Sequence, residues 1–275
     1  MTNLEQMNRS FLDEYNADDA ITKYSTSTAG HGISYLIEHV YGQIYDDAIA
    51  ISLKGSAAPL RLLEFGCGAG MNLIALVSRC AGKNIPVDLA HGTDFSAALI
   101  DAARQDSRRL LPADLRERVF FDVARNESLG PDLAAATHRD PDALAGSFDF
   151  IFGVNTFRYC NRLGTADECA KEVYRLLRTG GTCVMIDMNG RFPAFRSHLF
   201  GPAKPAEELY MPSLEEYAQP FERAGFEMLR KEHFCWTPHS AGPMLTAVSR
   251  ALTPLLNATI RSRAMRSLVV VRKPA

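Results

Sequence analysis

Apolar and polar positions follow two different rhythms along this chain. In the first fifty residues the rhythm is helical. Leu4, Met7, Phe11 and Tyr15 fall three and four apart, and after a Ser/Thr/Gly-rich stretch (25–32) a second stripe follows with Ile33, Leu36, Ile37, Val40 and Tyr41. An amphipathic helix needs something to cover its stripe, so residues 1–50 are expected to form a helical cap or lid ahead of the main domain. From Leu60 onward, short apolar runs alternate with amphipathic segments, the order expected of βαβ units and a parallel sheet. Runs at 60–65, 87–93, 118–123, 148–154, 182–188, 226–233 and 267–272 provide seven strands. Segments 71–81, 96–111, 166–177 and 214–224 provide helices, the last opened by a capping box of Ser213 and Glu216. The last two strands are separated by a long segment, 234–265, instead of a short crossover helix, so the seventh strand is expected to return antiparallel beside the sixth. The expected fold is therefore α/β: a seven-stranded mixed sheet, mostly parallel with the last strand antiparallel, and helices on both faces. Residues 51–275 would form this domain, with substrate-lid insertions at about 189–212 and 234–265.

Composition narrows the class of partner. With 275 residues, 47% hydrophobic and 23% charged, the chain can bury a full core, which excludes disordered and collagen-like readings. Lys and Arg total 30 against 32 for Asp and Glu, so no general attraction to nucleic acid or anionic membrane is expected, and a small molecule is the expected partner. The densest basic cluster, Arg261, Arg263 and Arg266, is short and reads as solvated surface. The six cysteines form no CxxC pair, which suggests neither a zinc site nor a redox motif and fits a reduced, cytoplasmic protein. The N-terminus has no signal-peptide pattern, and no run of about 18 apolar residues exists to span a bilayer.

The sharpest chemical signal lies at 62–73. An apolar strand ending at Glu64 and Phe65 runs into Gly66, Cys67, Gly68, Ala69 and Gly70, and then into a helix from Met71. Alternate glycines let a backbone turn tightly and approach a ligand without Cβ interference, and a nucleoside is the expected ligand. A dinucleotide fingerprint would place its third glycine where Met71 stands, and no phosphate-binding lysine follows. A second carboxylate, Asp94, ends the next strand with Phe95 beside it. One acceptor-only carboxylate suits two hydroxyls on adjacent carbons.

Taken together these residues resemble the class I S-adenosylmethionine-dependent methyltransferases, small-molecule type. The glycine segment with Glu64 resembles that family's first motif, and Cys67 would pack under the loop. The resemblance implies that Asp94 accepts hydrogen bonds from both ribose hydroxyls and that Phe95 packs on the adenine. In the third-strand region Asn126 is the first choice and Asp122 the second for reading the adenine edge; backbone contacts alone are the alternative, because residues 130–146 read as an insertion that obscures the register. Asn155, closing strand four, would stand near the reactive sulfonium. The continuation Thr156-Phe157-Arg158-Tyr159 is unlike the arrangement of the DNA and glutamine amino-methyltransferases. Leu176-Leu177-Arg178-Thr179-Gly180-Gly181 resembles the turn before the family's fifth strand, with Thr179 replacing proline.

The resemblance implies methyl transfer from S-adenosylmethionine, with S-adenosylhomocysteine as product, to oxygen, nitrogen or carbon of a small hydrophobic metabolite, as in secondary metabolism. His31 in the cap is the first candidate base and Tyr159 a catalytic contact. Tyr24, Phe195, His198 and Trp236 are candidate substrate contacts; His233 and His239 flank strand six. Metal assistance is not expected, because Asp187 and Asn189 lack a partner aspartate at the Asn155 position. Three other readings stay open: a methyltransferase-like cyclase, an NAD(P)-dependent dehydrogenase and a non-catalytic nucleoside-binding module. The amphipathic N-terminal helix leaves a homodimer or higher homo-oligomer open.

Overall fold

The computed structural model describes residues 36–54, 58–193, 211–238 and 241–274. A wide π-type turn, Leu36–Tyr41, leads into helix α1 (Gly42–Ser52). The sheet then develops as β1 (Leu60–Phe65), α2 (Met71–Gly82), β2 (Val87–Asp94), α3 (Ala97–Leu110), the single-turn α4 (Ala113–Arg116), β3 (Val119–Val123), α5 (Leu129–Thr137) and β4 (Phe148–Val154). It closes with α6 (Phe157–Leu163), α7 (Ala166–Leu176), β5 (Leu177–Met188), α8 (Leu214–Arg223), β6 (Glu227–Phe234), α9 (Pro243–Ile260) and β7 (Arg266–Arg272). Strand order is β3-β2-β1-β4-β5-β7-β6, and every neighbouring pair is parallel except the two that involve β7. This is the seven-stranded mixed sheet expected from the apolar runs. Chain order reverses between β1 and β4, so the segments leaving those two strands diverge and open a crevice at the carboxyl edge.

Both faces of the sheet are covered because the central strands are apolar at consecutive positions. Ile44, Tyr45 and Ile49 of α1 join Leu73 and Val77 of α2 over Phe150 and Phe152 on one face. Phe157, Val173, Tyr217 and Phe221 pack on Leu63 and Phe65 on the other. Helix α1 falls within the segment expected to be a cap, and it is part of the core. Tyr45 sits 5.0 Å from the Phe152 ring and 5.8 Å from that of Phe150. Residues 1–35, with the first expected helix and Ile33, lie outside the described residues.

A buried polar knot fixes α1 to the sheet. Thr182 Oγ1 donates to the Ala48 carbonyl at 2.9 Å, Ser52 Oγ donates to the Asp149 carbonyl at 2.9 Å, and the two hydroxyls are 2.7 Å apart. Arg178 ties the Asp149 carboxylate to the Ser52 carbonyl. Thr182→Val would leave a buried carbonyl without its donor and is expected to cost about 1–3 kcal/mol of stability, read as a lower urea midpoint at unchanged slope. An unchanged midpoint would show that the knot adds nothing to folding.

Two local expectations are corrected. Residues 130–146 are no insertion: α5 and a 3-10 turn at Pro141–Leu144 form the crossover from β3 to β4, held by Leu129, Leu133 and Leu144. Its alanine-rich sequence gives a weak apolar stripe, so the helix is hard to see from pattern alone. Strand β5 starts at Leu177, five residues earlier than expected, because the register slips between Phe148↔Leu177 and Phe150↔Thr182 and the Gly180 turn (φ +78°) is absorbed as a bulge. The segment 234–265 contains α9, whose buried residues are Thr246 and Ser249; Met244, Leu245, Val248, Leu252 and Leu255 are exposed. The capping box of α8 forms as expected, with Ser213 Oγ accepting from Glu216 N at 3.2 Å and Ser213 N donating to Glu216 Oε2 at 2.8 Å. Among the described residues, no helix is long and apolar enough to cross a membrane.

Candidate functional site

The loop between β1 and α2 bends through three left-handed residues, Gly66, Gly68 and Gly70 (φ +60°, +53° and +78°). Alternate glycines are required for this path, since left-handed backbone strains any residue with a Cβ. Two of them also answer to the protein itself. A Cβ on Gly66 would stand 1.9 Å from Thr156 Oγ1 at the end of β4, and one on Gly70 would stand 2.7 Å from the Phe121 ring on β3. The loop is thus seated directly on its neighbours, with Cys67 N donating to the Thr93 carbonyl at 2.8 Å. Cys67 lies buried under the loop, and burial pushes its thiol well above the usual range, so it offers no thiolate near neutral pH.

Glu64 serves the loop from below. It is 1% exposed, and its Oε2 accepts from Leu73 N at 3.0 Å, satisfying an amide in the first turn of α2 that has no side-chain cap of its own. Its other oxygen is buried without a hydrogen-bond partner, and burial drives its carboxyl well above the usual carboxylate range. Glu64 therefore supports the loop through its contact with α2.

Asp94 stands where β2 meets the glycine loop. Its Oδ2 accepts from Gly68 N and its Oδ1 from Ser96 N, both at 2.9 Å. A carboxylate has about four acceptor positions, so with Phe95 N as a third backbone donor at least one position remains for a ligand donor. Burial raises its pKa, and backbone donors at Ser96, Gly68 and Phe95 oppose that rise. Ser96 is itself the N-cap of α3, accepting from Leu99 N. The half-buried Phe95 follows directly.

The adenine-edge candidates separate. Asp122 is engaged by two neighbouring side chains: its Oδ2 meets His91 Nε2 at 2.9 Å and its Oδ1 accepts from Arg104 Nη2 at 3.0 Å. Those partners hold its carboxyl below the usual range against the effect of burial. Asn126 reaches across from the segment after β3, and its Nδ2 donates to Thr156 Oγ1 at 2.9 Å beneath Gly66. Asn126 is therefore brought to the loop and Asp122 is not.

At the end of β4, Asn155 adopts φ +56°; its N–H donates to the Ile186 carbonyl at 2.8 Å and its Oδ1 accepts from Arg266 Nη1 at 2.8 Å. Tyr159, in the first turn of α6, accepts from Arg158 Nη2 at 2.7 Å, and that guanidinium lies 4.6 Å from the ring centroid. Arg158 also pairs at 3.5 Å with Asp187, which is 1% exposed. Trp236 is engaged by α9, its Nε1 donating to Asn257 Oδ1 at 2.8 Å. His233 is 3.3 Å from Ser267 Oγ, and burial first and Arg191 second lower its pKa, which keeps the imidazole neutral at pH 7. Tyr24, His31, Phe195, His198 and His239 lie outside the described residues.

Sequence pattern misses Arg266. Read as part of a solvated basic cluster, it is 6% exposed. Its place opening β7 opposite Met188 and Phe234 carries it inward, whereas Arg261 and Arg263 remain exposed. The usable signal is the unbroken apolar run that follows it, which marks Arg266 as the first residue of a buried strand. Tyr41, buried against Phe234 at 6.1 Å between rings, lies beside Arg266, and burial pushes its phenol up to about 12.

Comparisons with known proteins point to the same fold. Residues 63–183 match a family model described as a methyltransferase domain. The (4+2)-cyclase SpnF is similar in structure, with a TM-score of 0.59 at 14% identity over 100% of this chain and 98% of that one. The citrinin polyketide synthase CMeT domain gives 0.56 at 17% identity over 93% of this chain and 56% of that one. Geranyl diphosphate methyltransferase in complex with SAM gives 0.55 at 13% identity over 90% and 95%. A search of curated proteins finds no match to the sequence.

Proposed function

From the premise that residues 63–183 are a methyltransferase domain, we propose that this protein binds S-adenosylmethionine in the β1–β4 crevice and transfers its methyl group to a small molecule. The observation that carries the reading is the Asp94 carboxylate, fixed against the glycine loop by Gly68 N with acceptor capacity to spare. The donor set fits the cofactor. Asp94 would hold the ribose diol, Phe95 and Asn126 would flank the base end, and the first turn of α2, which contains no acidic residue, would favour the methionyl carboxylate. When bound, S-adenosylmethionine supplies a methyl on a good leaving group, so the chain's own work is alignment and exclusion of water. Asn155 and Tyr159 stand at the carboxyl edge where an acceptor would meet the methyl. Two similar structures belong to a citrinin polyketide synthase CMeT domain and a geranyl diphosphate methyltransferase, which supports a hydrophobic acceptor in secondary metabolism.

The second reading, a methyltransferase-like cyclase, has its support in the end-to-end structural similarity to SpnF. Incubation with methyl-labelled S-adenosylmethionine and a panel of small polyketide, aromatic and terpenoid acceptors separates the two. Methyl transfer predicts label in product with equimolar S-adenosylhomocysteine. An isomerised product with neither label nor S-adenosylhomocysteine would establish the cyclase and overturn methyl transfer.

A further inference from the structure

Resting on the cofactor reading above, we propose that the methyl acceptor carries an anionic group, a carboxylate or a phosphate, which Arg266 binds at the carboxyl edge of β4, β5 and β7. Arg266 is 6% exposed, and its Nε is buried with no hydrogen-bond partner. Its Nη1 donates to the neutral amide oxygen of Asn155 at 2.8 Å. The phenol beside it, Tyr41, stays protonated because burial pushes it up to about 12. Among the described residues no carboxylate lies within ion-pair distance of this guanidinium.

The carboxylate at this edge, Asp187, is already engaged. It accepts from Met188 N at 2.8 Å and from Arg158 N at 3.1 Å, and it pairs with Arg158 Nε at 3.5 Å. Asp187 thus pairs with Arg158, while Arg266, beyond ion-pair distance, acts on it only through longer-range attraction. Burial itself favours the neutral form of Asp187, against the pull of Arg158 and Arg266. A buried charge without a compensating partner is strongly disfavoured. The groups directly beside Arg266 are an amide and a phenol, and the nearby acid, Asp187, is already held by Arg158. An arriving anion supplies the missing charge, and a planar guanidinium with an unused Nε is suited to a carboxylate or phosphate oxygen.

The position favours the acceptor as the source. Going from β1, which carries the glycine loop, to β7 the sheet passes β4 and β5, about 14 Å at the usual strand spacing. Arg266 therefore stands on the far side of Asn155 from the crevice that would hold the cofactor. The methionyl carboxylate of S-adenosylmethionine has the same chemistry, and the experiment has to tell the two apart.

The test is calorimetry on the full chain, first with S-adenosylhomocysteine and then, on the saturated protein, with benzoate, inorganic phosphate and the neutral benzamide. The expected result is binding of benzoate or phosphate but not of benzamide, weakened at least tenfold in Arg266→Gln, with S-adenosylhomocysteine affinity within about twofold of wild type. Should Arg266→Gln fail to fold, Arg266→Lys decides, with an expected loss of threefold or more for the anion alone. Equal binding of benzoate and benzamide, no binding of either anion, or undiminished anion binding by the variant would overturn the inference. A parallel loss of S-adenosylhomocysteine affinity would also overturn it, assigning Arg266 to the cofactor's carboxylate. If wild type bound no S-adenosylhomocysteine, the cofactor reading itself would fail.

Discussion

Asp94→Ala is expected to weaken S-adenosylmethionine binding by roughly 10- to 150-fold, the effect of losing hydrogen bonds worth about 1.5–3 kcal/mol to a charged group. The residue has two tasks. It would accept from the ribose, and it already holds Gly68 N and Ser96 N, so its removal also loosens the loop that shapes the crevice. Asp94→Asn separates the tasks, since an amide keeps one acceptor oxygen and cannot take both backbone donors. The pH dependence follows from the raised pKa. In the folded protein Asp94 binds its proton more tightly than in the unfolded chain, so its contribution to stability falls as pH rises from the ordinary carboxylate value through the folded one. Ribose binding requires the ionised acceptor, so cofactor affinity should be flat at neutral pH and decline on acidification, starting above the usual carboxylate range. Calorimetry across pH 4–8 on wild type and Asp94→Asn checks this; an Asp94→Ala protein with wild-type affinity would remove the residue from the site.

The second large effect is on the fold. Gly66→Ala should destabilise the protein by about 2–5 kcal/mol, combining left-handed strain of about 1–2 kcal/mol with overpacking of about 1–3 kcal/mol. The new Cβ would meet Thr156 Oγ1 at 1.9 Å and Thr156 Cβ at 2.5 Å, so no rotamer change relieves the clash. Gly164→Ala is the internal control. It has a similar backbone (φ +72°) with nothing within 4 Å, and only the conformational part should appear. Thr156→Gly combined with Gly66→Ala should recover the steric part and leave the strain. Denaturant unfolding of the four proteins gives the comparison, and equal losses for Gly66→Ala and Gly164→Ala would refute the steric argument.

These contrasts show what a sequence makes legible. The strands, the glycine loop, the Ser213 capping box and Asp94 at a strand end are local signals, written in periodicity and turn chemistry within a few residues. Helix α5 escaped because an alanine-rich helix carries little apolar contrast. The other misreadings concern partners brought together by strand order. Asp122 faces His91 and Arg104 because β2 and β3 pair in one register. Asn126 reaches Thr156 across a gap of thirty residues. Arg266 is buried because β7 inserts between β5 and β6. Burial of a charged residue at the start of a strand depends on what stands opposite, and that information is distant in the chain. Glu64 is an intermediate case. Its nearness to the loop was legible, but its support of the α2 amide at Leu73 became visible only once the loop had a path.

The most direct measurement is native mass spectrometry of the purified full-length protein offered S-adenosylhomocysteine and NAD together. A single S-adenosylhomocysteine adduct per chain, lost in Asp94→Ala while that variant keeps its wild-type charge-state distribution, is the expected result. Selective retention of NAD, or no nucleoside adduct at all, would contradict the assignment of the glycine-loop crevice to a sulfonium nucleoside.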